Sequence, residues 1–97
     1  MNENNKELKE RINVAAYFLS KENLPYDKLC WMLAERQLYR ENFKLPTNTL
    51  IRERAAKIFF SSPPYDVLCW LIAELDNLID SEIFNRDSTP RFLNKED

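Results

Sequence analysis

The sequence predicts an all-α protein: two tandem helical hairpins packed as a four-helix array. Three observations carry this prediction. A shift of 39 residues aligns 12–38 with 51–77 without a gap, and ten of the 27 positions are identical. Apolar residues recur at helical spacing in both copies. The 97-residue chain contains no glycine, which removes the Asn-Gly and Asp-Gly turns that most tight β-hairpins use.

The identical pairs include Pro25/Pro64, Tyr26/Tyr65, Asp27/Asp66, Cys30/Cys69 and Trp31/Trp70. Coincidence of rare residue types argues for a tandem duplication, and a period of this length suits a helical hairpin. The repeat units are expected at about 5–41 and 48–80, within a single domain spanning 1–85. Two units are too few for an open solenoid, so they must close on each other or on a second chain. An approximate twofold axis or a simple translation would relate them.

The first helix is expected at about 5–21, where Ile12, Ala16 and Leu19 fall at i, i+4, i+7 and share one face. The second, at about 24–41, begins at a turn. Asn23 is a candidate N-cap, Pro25 falls in the first turn, and Asp27 complements the helix dipole there. Residues 42–47 link the units. The third helix, at about 48–60, repeats the stripe with Ile51, Ala55 and Ile58. The fourth, at about 63–80, repeats the turn with Ser62 as candidate N-cap, then Pro64 and Asp66. It is apolar from Val67 to Ala73, so it is central or covered by a partner. A short turn is expected to reach Phe84, and residues 86–97 read as a flexible C-terminal tail.

Composition excludes much chemistry. Absence of glycine rules out the usual phosphate-binding loop and nucleophile elbow. Absence of histidine removes the commonest general base and metal ligand. No apolar run approaches the ~18 residues of a membrane span, and the N-terminal segment has no apolar signal core, so a cytoplasmic location is expected. Net charge is −2, from 14 basic and 16 acidic residues, which disfavours a surface built throughout for nucleic acid.

The residues bearing reactive groups read as structural. Cys30, Cys69, Trp31, Trp70, Ala34 and Ala73 are expected in the core of the repeat. A reactive thiol needs exposure and a cation or helix N-terminus nearby, and these thiols have Leu, Trp and Met beside them. Glu35 and Glu74 are expected in structural ion pairs with arginines of the preceding helix, such as Arg52 or Arg54. No cofactor, metal or catalytic residue is expected, and the chain reads as a non-enzyme.

Two binding surfaces are candidates. Phe43, Phe59, Phe60, Phe84, Phe92 and Leu93 lie at helix ends, in the linker or in the tail. They are candidate contacts to a protein partner or to a second copy in a homodimer. The leading reading is therefore a small helical protein acting by protein–protein interaction or self-association, such as an adaptor or modulator of a larger complex. The alternative is a nucleic-acid-binding regulator using Arg36, Arg40, Lys44, Arg52, Arg54 and Lys57, which gather between the second and third helices.

The second unit also resembles a short bacterial helical domain family of unknown function. The likeness rests on Ile51, Arg52, Arg54 and Ala55 followed by Trp70, Leu71, Ala73 and Glu74. The first unit matches through Ile12, Ala16, Tyr17, Trp31, Ala34 and Glu35. The resemblance implies a helical unit of bacterial or phage type and no particular activity.

Overall fold

The computed structural model describes the backbone of residues 2–86 and the side chains of residues 6–82. Four helices follow one another: α1 (Asn2–Lys21), α2 (Tyr26–Asn42), α3 (Asn48–Ser61) and α4 (Tyr65–Arg86). No strand occurs among the described residues. None of the described helices is long and apolar enough to cross a membrane.

The order of packing is not the order of the chain. The extensive contacts run between α1 and α4, between α2 and α3, and between α2 and α4. The first helix of each unit thus lies on the second helix of the other unit. Contacts between α2 and α4 join start to start (Tyr26 to Pro63) and end to end (Arg40 to Glu82), so these two helices run in the same direction. Such reciprocal contacts are what a twofold relation produces. A translation would stack one unit on the next in one direction only.

The centre is built from equivalent positions. Leu29, Cys30 and Leu33 of α2 meet Leu68, Cys69 and Ile72 of α4, all buried. Ala16 and Leu19 of α1, with Ala55 and Ile58 of α3, close this cluster from the two flanks. The i, i+4, i+7 stripes read from the sequence therefore do face the core. A second cluster joins Ala34 and Leu38 of α2 to Ile51 of α3, and Tyr39 packs on Ile79.

Two hydrogen bonds tie the turns together. Tyr26 donates its hydroxyl to the Pro63 carbonyl, and Tyr65 donates to the Leu24 carbonyl, each at 2.6 Å. Positions 24 and 63 are themselves 39 apart, so each tyrosine closes the other unit's turn. These carbonyls lie just outside helices, where no backbone donor reaches them.

The turns themselves differ from the sequence expectation. Asn23 and Ser62 do not cap the helices that follow. They adopt left-handed φ of 54° and 56° and end the helices that precede them. Ser62 donates its N–H to the Phe59 carbonyl, and Asn23 donates to the Ser20 carbonyl. The N-cap of α2 is Pro25 (φ −60°, ψ 150°), which carries no side-chain cap. Proline disfavours helix at the preceding residue, so α2 and α4 begin at Tyr26 and Tyr65, two residues later than the periodicity suggested. In a chain without glycine, Asn, Ser and Phe must supply the left-handed positions. Phe43, at φ 56°, does so at the end of α2. A β-carbon there costs roughly 1–2 kcal/mol. By contrast, α3 has an ordinary cap: Thr47 accepts from the Leu50 N–H at 3.3 Å.

Helix α4 extends to Arg86, beyond the expected end near 80, because no proline interrupts 80–86 and Ile79 and Glu82 bind α2. The tail expected at 86–97 lies, from residue 87 on, outside the described residues.

The reciprocal tyrosines yield the first expectation. Tyr26→Phe and Tyr65→Phe each leave a carbonyl unsatisfied and should cost about 1–2 kcal/mol, with nearly equal values. Urea unfolding followed by circular dichroism measures this. A loss confined to one of the two variants would show that the turns are not coupled in both directions.

Candidate functional site

Side chains carry the sequence-predicted sites to different places. Of the six residues expected in the core, Cys30, Cys69, Ala34 and Ala73 are buried. Burial pushes both thiols above the ordinary value of 9.0, and the neighbouring Asp27 and Asp66 carboxylates push the same way. Both stay protonated and act as apolar filler. The Tyr26 hydroxyl is likewise pushed up, first by burial and then by Cys30. Trp31 and Trp70 depart from the expectation of full burial. They are half-buried, because α1 and α3 cover one side of each indole and leave the other at the surface.

Each indole forms the wall of a groove. Along α1 and α4, a groove of about 370 Å³ is lined by Asn13, Tyr17, Ser20, Asp66, Val67 and Trp70. Along α3 and α2, a groove of about 290 Å³ is lined by Asp27, Trp31, Arg52, Ala56, Phe59 and Phe60. Cys69 and Cys30 line the respective grooves, with Ala16 and Ala55. Seven of the eight lining positions of one groove lie 39 residues from a lining position of the other, but the walls differ in residue type. In the first, Trp70 donates its indole N–H to Asn13 Oδ1 at 2.9 Å. In the second, Arg52 stands where Asn13 stands in its twin.

The candidate partner-binding phenylalanines separate. Phe59 and Phe60 meet edge to face at 5.6 Å, and Phe59 meets Tyr26 in the same way at 5.5 Å. Phe60 is 81% exposed, the most exposed large apolar side chain described. Phe43 is at the far end of α2, stacked edge to face on Tyr39. It is therefore not part of the Phe59–Phe60 surface. The Phe84 side chain, Phe92 and Leu93 lie outside the described residues. A second exposed aromatic pair was missed: Tyr17 and Phe18, 55% and 62% exposed. Their positions fall off the Ile12, Ala16, Leu19 stripe, and that mismatch in the helical period was the signal available.

The candidate phosphate-binding cations do not form one patch. Arg36 is buried between α2 and α4 at 3% exposure, where Nε donates to Asp76 Oδ1 at 2.7 Å and another nitrogen to the Met32 carbonyl. Arg40 binds the Glu82 carboxylate at 3.0 Å. Arg54 reaches both Glu41 oxygens, and Gln37 accepts from it as well. The Arg54 hydrogen bond holds the Glu41 carboxyl below its ordinary value. Three of the six cations are thus neutralised by carboxylates of neighbouring helices. Lys44, Arg52 and Lys57 are exposed and make no ion pair among the described residues.

Glu35 and Glu74 also depart from expectation. Glu35 pairs with its neighbour Arg36 at 3.3 Å, not with an arginine of α3. Glu74 makes no ion pair among the described residues. The predicted partners are elsewhere, since Arg54 is held by Glu41. No group of three or more metal-ligating side chains occurs among the described residues. No family model, curated protein or solved structure matches the chain.

Arg36 breaks the correspondence between the units, because Leu75 is at the equivalent position. Its pairing sets up an asymmetric outcome. Asp76→Ala takes a carboxylate from a buried guanidinium and should destabilise by roughly 2–3 kcal/mol. Arg36→Leu, which copies the other unit, removes the buried charge and leaves the partly exposed Asp76 and Glu35 carboxylates, so it should cost less, about 1 kcal/mol. Thermal and denaturant unfolding of both variants decides this. A larger loss for Arg36→Leu would contradict the assignment.

Proposed function

We propose that this chain is a non-catalytic helical protein that works by contact with another protein or a second copy of itself, through the Phe59–Phe60 ridge of α3 and the groove beside Trp31. The exposure of Phe60 carries the reading. An aromatic side chain that is 81% exposed gains almost nothing for the fold, yet it meets Phe59, which in turn packs on Tyr26, and it lines one groove with the half-buried Trp31. Aromatic clusters around a partly desolvated tryptophan have the composition of interface hot spots. The ridge stands on a firm base, because Tyr26 is fixed by its bond to Pro63.

The nucleic-acid reading draws less support. Arg36, Arg40 and Arg54 are committed to Asp76, Glu82 and Glu41, so half of the candidate cations have little charge left for phosphate. Electrostatic binding to a polyanion scales with the number of free cations that reach it. The non-enzyme reading rests on the buried, protonated thiols and on Glu35 being bound to Arg36.

Phe60→Ser separates surface from core. The variant should keep wild-type stability to within about 0.5 kcal/mol, as surface substitutions do. Sedimentation velocity over a concentration series should show association of the wild type that the variant lacks. Equal behaviour of the two proteins at all concentrations would remove self-association through this ridge. Failure of the variant to fold would show that Phe60 is structural and end the proposal.

A further inference from the structure

The two grooves differ at one pair of positions, and the difference points to a ligand. In the α1–α4 groove the indole donor of Trp70 is satisfied within the protein by Asn13. In the α2–α3 groove Arg52 occupies the equivalent position, and arginine has no acceptor to offer. Among the described residues nothing accepts from the Trp31 N–H, and no buried side-chain nitrogen or oxygen lacks a partner, so this N–H faces solvent. Arg52 is exposed and is in no ion pair among the described residues. The groove is therefore lined by a tryptophan whose indole donor is unused and an arginine whose guanidinium is in no ion pair, together with Phe59 and Phe60.

Both polar groups call for an anionic acceptor, and both rings call for an apolar side chain beside it. We infer that the Trp31–Arg52 groove binds an acidic, apolar peptide segment of a partner protein, with a Glu or Asp carboxylate on Arg52 and the Trp31 N–H and a neighbouring Leu or Phe on the Phe59–Phe60 rings. A carboxylate fits better than a nucleic-acid strand. Asp27 lines the same groove and would repel a run of phosphates more than it would a single carboxylate held by Arg52. The twin groove lacks this pair of donors, because Asn13 already closes its indole and no arginine or lysine is among its lining residues, the Lys21 ammonium lying over the Tyr17 ring instead. The inference rests on the reading of the ridge as a protein-binding surface, and it adds the chemistry of the partner.

The two indole N–H resonances of the full chain report on the two grooves separately. The probes are an acetylated Leu-Glu-Phe-Leu amide peptide and its Leu-Gln-Phe-Leu twin, each titrated into isotope-labelled protein. The acidic peptide should shift the Trp31 resonance and leave that of Trp70 in place. Its affinity should exceed that of the Gln twin by about tenfold, the worth of one charge-assisted hydrogen bond. Arg52→Asn, which installs the residue of the other groove, should abolish this preference, and an unmoved Trp70 resonance verifies that the variant is folded. Equal shifts from the two peptides would overturn the anion preference while leaving the ridge as a protein surface. No shift from either would overturn both readings of the groove. A Trp31 shift caused by a short oligothymidylate and not by the acidic peptide would assign the groove to nucleic acid and overturn the inference. A shift caused only by raising the protein concentration would assign it to a second copy, with the same consequence.

Discussion

Six side chains close the centre of the molecule: Leu29, Cys30 and Leu33 from α2, and Leu68, Cys69 and Ile72 from α4. Neither half can be completed within its own unit. Each first helix covers the second helix of the other unit, so the burial of one set requires the other set to be in place. Complete burial of a leucine or isoleucine contributes about 1.5–3 kcal/mol, and Leu29, Leu68 and Ile72 are all at 0% exposure. Interlocking of this kind gives one cooperative core rather than two. It also explains why the tyrosines matter more than their position in a turn suggests. Tyr26 and Tyr65 each bind the other unit's turn, so the entry into α2 and the entry into α4 are fixed by one another.

That core decides where the surface is free to vary. Matching positions at the centre carry the same or similar residue types, while some at its edges differ. Leu75 packs against the α4 side of the centre, while Arg36 at the matching position of α2 carries a buried charge that Asp76 must offset. Buried pairs of this kind contribute little net stability but penalise any arrangement that separates them. They favour one register of α2 against α4, and the Arg40–Glu82 pair further along favours the same register. The groove walls show the same divergence, with Asn13 against Arg52 and Ser20 against Phe59. One groove is closed upon itself and the other is left with unsatisfied donors.

Much of the helix content was legible in the sequence, because apolar residues recur at helical spacing and the missing glycine disfavours tight β-hairpins. The stripes of α1 and α3 and the burial of the cysteines followed from periodicity alone. The pairing of helices did not. A sequence repeat says that two units are alike, but it cannot say whether a first helix covers its own second helix or that of the other unit. Asn23 and Ser62 were misread for a related reason. Both residue types favour caps and also tolerate left-handed backbone, and only the following proline, which forces α2 and α4 to start late, decides between the two roles. The candidate site was less legible still. The exposure of Phe60 and the neutralisation of Arg36, Arg40 and Arg54 depend on contacts between elements distant in the chain. The substitution of Arg52 for Asn13, in contrast, was visible in the aligned units. It acquired meaning once Trp31 and Trp70 were seen beside those positions.

Native-state hydrogen exchange tests the interlocked core most directly. If α2 and α4 complete one another, the amides of Leu29 to Leu33 and of Leu68 to Ile72 should exchange only by global unfolding. Their opening free energies should then agree with each other and with the denaturant-derived stability to within about 1 kcal/mol. Exchange of one set through a lower-energy opening, while the other set stays protected, would mean that each unit holds its own core and would contradict the account.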